Sequence, residues 1–305
     1  MIKCIYSIAI REVTCVKYAF MALKGMFIGG TMLIPGVSGG TMAIILGVYQ
    51  KLLYAVANIK KDFKNSILTL IPFALGGALG AVLLAYPIER LLLAFPLPVM
   101  YFFVGSVAGG VPLLLRKAFV GENKRAFRLK DVTAVILGIA VTIVFSVLPE
   151  NILDVSGSSG IVAFIVFFII GIVCSLTLML PGISTSYMLL ILGAIGTVYK
   201  AFETLDVSVL LPMVLGALFG MLLFSRIIES QLRLHPRTSF LTIFGFIIGS
   251  VIQLVIKPVV TFAPLSVRFV PQTLAALPTG LEWVICPALF AVAFISMFMI
   301  SKGEK

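Results

Sequence analysis

Apolar residues come in long runs separated by short clusters of charge, the rhythm of a chain that crosses a bilayer many times. Six runs, near 66–86, 97–115, 131–148, 208–225, 239–256 and 281–301, each approach the ~20 residues a helix needs to cross hydrocarbon. Two further apolar regions, 25–56 and 160–199, are interrupted by a Pro-Gly and a cluster of small hydroxyl and glycine residues. Each of these reads as a broken, re-entrant hairpin of two short half-helices.

The two breaks are copies of each other. Leu33-Ile34-Pro35-Gly36-Val37-Ser38, with its continuation to Leu46-Gly47, aligns at an offset of 146 with Met179-Leu180-Pro181-Gly182-Ile183-Ser184 and its continuation to Leu192-Gly193. After a six-residue deletion the match resumes at an offset of 140. Pro72, Gly76, Gly80, Glu89, Pro96, Gly105 and Gly109 then fall on Pro212, Gly216, Gly220, Glu229, Pro236, Gly245 and Gly249. Each unit is a broken hairpin followed by three crossings, and an odd number of crossings starts the second copy on the opposite side. The expected fold is all-α: a polytopic membrane protein with two inverted-topology repeats, each a broken re-entrant helical hairpin plus three transmembrane helices. The expected divisions are an amphipathic cytoplasmic N-terminal segment at 1–24, repeat 1 at 25–148 and repeat 2 at 149–305.

Composition agrees with lipid as the solvent. The 305 residues are 61% hydrophobic and 11% charged, where a soluble domain carries about 25% charge. The net charge of +11 sits in short segments between the runs, which is an orientation signal and not a nucleic-acid surface. The N-terminal arm, Lys60, Lys61 and Lys64, the cluster from Arg116 to Lys130, the stretch Arg226 to Arg237, and Lys302 and Lys305 all fall on one side, which places both termini in the cytoplasm. Glu150, Asp154, Glu203 and Asp206 fall on the other, with Lys200, Lys257 and Arg268 as weaker members. Cys4, Cys15, Cys174 and Cys286 are isolated, and His235 is the single histidine. That removes a histidine-ligated metal and a Ser/His/Asp triad from consideration, and no cofactor or metal is expected.

A Pro-Gly inside an apolar run frees backbone amides and carbonyls that hydrocarbon cannot satisfy, so it is tolerated only inside protein or beside a polar cavity. Pro35, Gly36, Ser38, Gly39, Gly40 and Thr41, with Pro181, Gly182, Ser184, Thr185, Ser186 and Tyr187, are therefore expected to meet near mid-depth. There the restarting helices and the hydroxyls suit an anion, although the same hydroxyls could simply satisfy the broken backbone. Glu89 and Glu229 are the repeat-matched acids and the candidates for coupling to H⁺ or Na⁺. Arg90 and Arg226 stand where each could greet a phosphate at its entrance, or anchor a helix at the interface.

The paired motifs Pro35-Gly-Val-Ser-Gly-Gly-Thr41 and Pro181-Gly-Ile-Ser-Thr-Ser-Tyr187, each with its Leu-Gly follow-on, resemble the bacterial polyprenyl-phosphate transporter family, and the resemblance runs from about Gly25 to the last helix. It implies a multi-pass plasma-membrane flippase that returns undecaprenyl phosphate, an anionic isoprenoid lipid phosphate, from the outer to the cytoplasmic leaflet for reuse in cell-wall synthesis. The implied cycle is alternating access and the protein is not an enzyme; its partners are this lipid phosphate and membrane lipids. Thr185-Ser186-Tyr187 depart from Gly39-Gly40-Thr41 in the first loop. Undecaprenyl pyrophosphate phosphatases also carry inverted repeats and a Pro-Gly-x-Ser loop, but theirs continues Arg-Ser-Gly, and the clamping arginine is absent here. A phosphatase-like enzyme and a small-anion transporter are the alternative readings.

Overall fold

The computed structural model describes residues 2–32, 38–119, 128–153, 155, 160–256, 259–263, 266–270 and 278–303, with side chains from residue 16 onward apart from 85, 89, 255–277 and 303. Pro35, Gly36, Lys124, Arg125, Asp154 and Lys257, together with the Glu89 and Arg268 side chains, lie outside the described residues.

Helices dominate, in the order α1 Ile2–Thr31, α2 Gly39–Ile45, α3 Tyr49–Ala57, α4 Phe63–Ala94, α5 Pro96–Ala118, α6 Leu129–Val147, α7 Gly160–Met179, α8 Thr185–Ile191, α9 Ile195–Thr204, α10 Val207–Leu234, α11 Pro236–Ile256 and α12 Glu282–Gly303. Between α11 and α12 a two-stranded antiparallel ribbon pairs β1 Val259–Ala263 with β2 Ser266–Val270. The chain is a multi-pass membrane protein: among the described residues seven helices are long and apolar enough to span, and two bent pairs, α2 with α3 and α8 with α9, pass the same test together.

The six expected crossings are α4, α5, α6, α10, α11 and α12. The interrupted regions differ in detail from two half-helices around a Pro-Gly. Each holds a long helix before the break and two short ones after it. A second interruption bends the short helices by 118° in the first half and 115° in the second. The cause is local and repeated. Gly47 and Gly193 take left-handed backbone at φ 71° and 68°. Around them Gly47 N donates to Ile44 O and Val48 N to Ala43 O, as Gly193 N does to Leu190 O and Ala194 N to Leu189 O. That pair of hydrogen bonds closes a helix C-terminus on a glycine and turns the chain sharply. At the other end, α1 runs through the expected 24/25 boundary without interruption.

Glycine seams set the packing. A methyl group on Gly76 would strike the Ala22 carbonyl and one on Gly80 the Met26 carbonyl, so α1 lies backbone to backbone along α4. Gly216 meets Phe168 and Gly220 meets Ile172, so α7 lies along α10 in the same way. Between the halves, Gly105 and Gly109 of α5 meet Phe290 and Phe294 of α12, and Gly245 and Gly249 of α11 meet Val135 and Thr142 of α6. In all four seams residue numbers rise together, so each pair runs parallel. The central helices α5 and α11 are the most enclosed, while α4, α10 and α12 turn most of their surface outward. Ile45, Leu114 and Leu241 anchor the core between them.

Candidate functional site

Both breaks restart their helix with a serine N-cap. Ser38 Oγ accepts from Thr41 N at 3.1 Å and Ser184 Oγ accepts from Tyr187 N at 3.5 Å, each satisfying one amide orphaned at a helix start. The breaks then meet. Gly182 N donates to both Ser38 Oγ and Thr41 Oγ1 at 3.0 Å, and the two hydroxyl oxygens are themselves 3.0 Å apart. Ser38 and Thr41, 6% and 1% exposed, thus form a buried acceptor pair for the backbone of the opposite half.

The surroundings make this contact obligatory. Gly182 has φ 86°, and a side chain there would strike the Phe246 backbone of α11. Gly40 lets the second break close in, since a methyl group on it would sit 3.2 Å from Pro181 N and 3.3 Å from Met179 O. The last carbonyl of α7, left over where the helix stops, is taken by the Tyr49 hydroxyl, which donates to Met179 O at 3.0 Å. Nothing in the sequence tied Tyr49 to a residue 130 positions away. Its use as a long-range donor shows only in the fold.

The second break is more open than the first. Pro181, Gly182 and Ile183 are buried, but Ser184, Thr185, Ser186 and Tyr187 are only half-buried, whereas Ser38, Gly39, Gly40 and Thr41 are all enclosed. The Thr177 hydroxyl donates to Cys174 O at 2.9 Å and lies 3.3 Å from Thr185 Oγ1. The Tyr187 hydroxyl donates to Ser146 O of α6 at 3.0 Å. The hydroxyls with surface left for a ligand are therefore those of the second loop. In the first loop they are turned to the backbone, the plain alternative weighed from the sequence.

The charged candidates lie on the long helices. Arg90 is exposed with its guanidinium 5.0 Å from the Tyr86 ring, and Arg226 is exposed on α10. Glu229 is partly covered and pairs with Arg233 across one helical turn at 3.8 Å. A more enclosed ion pair went unread in the sequence. Asp131 and Arg237, 4% and 8% exposed, pair in bidentate fashion where α6 and α11 begin, with Arg237 Nε 2.9 Å from Asp131 Oδ1. Asp131 Oδ2 also accepts from Arg128 N at 2.7 Å, and the guanidinium stacks 4.8 Å from the Phe119 ring.

Comparison with known proteins agrees with the motifs. The profile of the VCA0040-like, undecaprenyl phosphate translocase-like family matches residues 28–263. A polyprenyl-phosphate transporter of Staphylococcus aureus is 32% identical over 237 residues, covering 75% of this chain and 83% of that protein. One of Vibrio cholerae is 29% identical over 251 residues, covering 77% of this chain and 76% of its own length. No solved structure matches the chain.

Proposed function

The chain belongs to the undecaprenyl phosphate translocase-like family, and on that premise we propose that it carries a polyprenyl phosphate across the plasma membrane, from the outer to the cytoplasmic leaflet. The observation that carries the reading is the junction of the two breaks, where Gly182 of one half is held by Ser38 and Thr41 of the other beside the half-open hydroxyls of Ser184, Thr185 and Ser186. A lipid phosphate needs a polar station inside the membrane, and its isoprenoid tail can stay in hydrocarbon while the headgroup crosses.

Helix directions support inverted halves. Successive spans alternate, so α4, α5 and α6 run up, down and up; α11 follows α6 in parallel, and α10 before it must run down. The counterparts α4 and α10 are then opposed. Charge supports the sidedness, since the α5 end with Arg116 and Lys117, the α11 start with Arg237, the α10 end with Arg233 and the α12 end with Lys302 all collect on one face, as cytoplasmic segments do. Such a carrier works by rocking one half against the other. Glu229, with Glu89 at the matched position, is the group proposed to link the cycle to H⁺ or Na⁺.

The test is leaflet exchange of polyprenyl phosphate by the purified protein in liposomes, scored against phosphate release. Exchange without release is the expected result. Release of inorganic phosphate without exchange would replace the carrier by a hydrolase, and Glu229→Gln with an unchanged pH and Na⁺ profile would remove that residue from coupling.

A further inference from the structure

Away from the breaks, the α2–α3 elbow of the first half gathers cations on an apolar scaffold. Lys24 of α1 donates from Nζ to the Leu46 carbonyl at 2.9 Å, and its ammonium lies 5.3 Å from the Phe20 ring. Lys51 of α3 brings its Nζ to 3.7 Å from Met21 Sδ, and Lys17 and Lys24 flank Met21 on the same face of α1, four residues before it and three after. A C-terminal cap on α2 accounts for Lys24 alone. It leaves unexplained why a second helix brings another ammonium beside it, against Coulomb repulsion and onto a thioether, a weak acceptor.

Depth sharpens the question. Gly25 lies against Phe73 and Met26 against Gly80, which sets Lys24 level with a point ~18 Å along α4 from its start at Phe63. On the other flank Ile45 lies against Gly110, ~12 Å from the end of α5 at Ala118. These measures put Lys24 and Ile45 inside the apolar spans, where a lysine is costly and marks an ionic path or site more often than an anchor, while Lys51 stands nearer the cytoplasmic end, since its neighbour Gln50 accepts from Lys117 Nζ at the last turn of α5.

The second half serves as an internal control. Its elbow has the same closure around glycine and nearly the same bend. Yet Ala163, Ile170 and Thr197 stand where the first half has Lys17, Lys24 and Lys51. The backbone needs no cation to make this turn. Next to the lysines, Phe20, Leu23 and Phe27 are exposed along one stripe of α1, an apolar bed for a hydrocarbon chain.

We propose that Lys17, Lys24 and Lys51 form a phosphate-binding subsite at the α2–α3 elbow, which takes the phosphate monoester headgroup of an isoprenoid lipid while its chain lies along the outer stripe of α1. The subsite rests on the transport reading and adds to it a station nearer the cytoplasmic face. Ammonium groups suit such a station: each is a rotatable point donor for a phosphate oxygen, without the planar two-point clamp of an arginine.

The test uses the full chain in liposomes, with exchange of a short-chain polyprenyl phosphate measured as a function of its concentration. Lys17→Gln and Lys51→Gln, neither of which removes the Lys24 cap, are expected to raise the half-saturating concentration about tenfold, the loss of one charge-assisted hydrogen bond. Lys51→Arg should recover most of it, the wild-type response should weaken with rising ionic strength, and Thr197→Gln in the second half should behave as wild type. Inorganic phosphate is the second probe. If it competes with the lipid only while Lys51 is intact, the subsite accepts free and esterified phosphate alike; if it does not compete although the lysine effect is present, the subsite belongs to the lipid headgroup. Unchanged half-saturation in both glutamine variants, in protein that still exchanges lipid, overturns the subsite and leaves the carrier standing. Absence of exchange by the wild type defeats the carrier reading itself.

Discussion

Replace Ser38 by alanine and Thr41 by valine, singly and together. Ser38→Ala removes the cap on Thr41 N but leaves Gly182 N with Thr41 Oγ1 at 3.0 Å. A lost N-cap costs about 1 kcal/mol. Thr41→Val keeps the side-chain shape and leaves Gly182 N with Ser38 Oγ at 3.0 Å, so it too should cost about 1 kcal/mol. The double variant is different in kind, because Gly182 N loses both acceptors in a site where Ser38 and Thr41 are 6% and 1% exposed and water has no easy replacement role. An amide stranded in that way costs about 1–3 kcal/mol beyond the two single losses. Unfolding of the purified protein in mixed micelles, followed as the fraction of denaturing detergent rises, gives the four stabilities of the cycle. A coupling of that sign and size is expected. A double variant that equals the sum of its singles would refute the junction of the breaks as a shared acceptor pair.

Three further outcomes follow from the packing and the open loop. Arg237→Ala strands the Asp131 carboxylate and should destabilise by about 3–5 kcal/mol in the same unfolding assay, while Asp131→Leu with Arg237→Met, which removes both charges, should cost far less. Gly80→Leu should force α1 away from α4 and lower the thermal midpoint by many degrees, whereas Gly196→Ala, with open space around it, should leave the midpoint within a degree or two. Ser184→Ala combined with Ser186→Ala should slow polyprenyl-phosphate exchange in liposomes while insertion is unchanged and stability falls only by the about 1 kcal/mol of the lost Ser184 cap, and a wild-type exchange rate would discard these hydroxyls as ligand donors.

Much of the architecture is legible because the bilayer enforces it. Apolar runs long enough to cross hydrocarbon can hardly be anything but helices, and all six expected crossings are present, although α4 extends to Ala94 where its run was expected to end near residue 86. Pro87 reads as a terminator by the rules of soluble helices, yet the helix passes through it, as it does through Pro72. The meeting of the breaks was legible from the repeat. The elbows were written in the sequence as Leu46-Gly47 and Leu192-Gly193 but not readable as turns, because a glycine announces its left-handed backbone only when the donors and carbonyls around it are in place. The ribbon of β1 and β2 had a local signal in its β-branched and aromatic residues that the membrane pattern overshadowed. Asp131 and Arg237 had none, since the parallel seam that brings them together is built by glycines elsewhere on α6 and α11.

What the halves share and what they do not divide the work between them. Serine caps, glycine elbows and glycine seams recur in both, and these are the features a carrier needs if each half is to take up in turn the shape of the other. With those alone the two end states would be close to equal in energy. The unshared features break that balance. Arg237 ties α11 to α6 at one end, whereas its repeat counterpart in α5 is Leu97, buried and apolar at 2% exposure, and the elbow lysines of the first half face Ala163, Ile170 and Thr197 in the second. A difference of about 1.4 kcal/mol between end states already shifts their ratio tenfold. In the proposed cycle, asymmetry of this kind would set which leaflet the resting site faces; it could not by itself drive net flux, which would have to come from the lipid gradient or from a coupled ion.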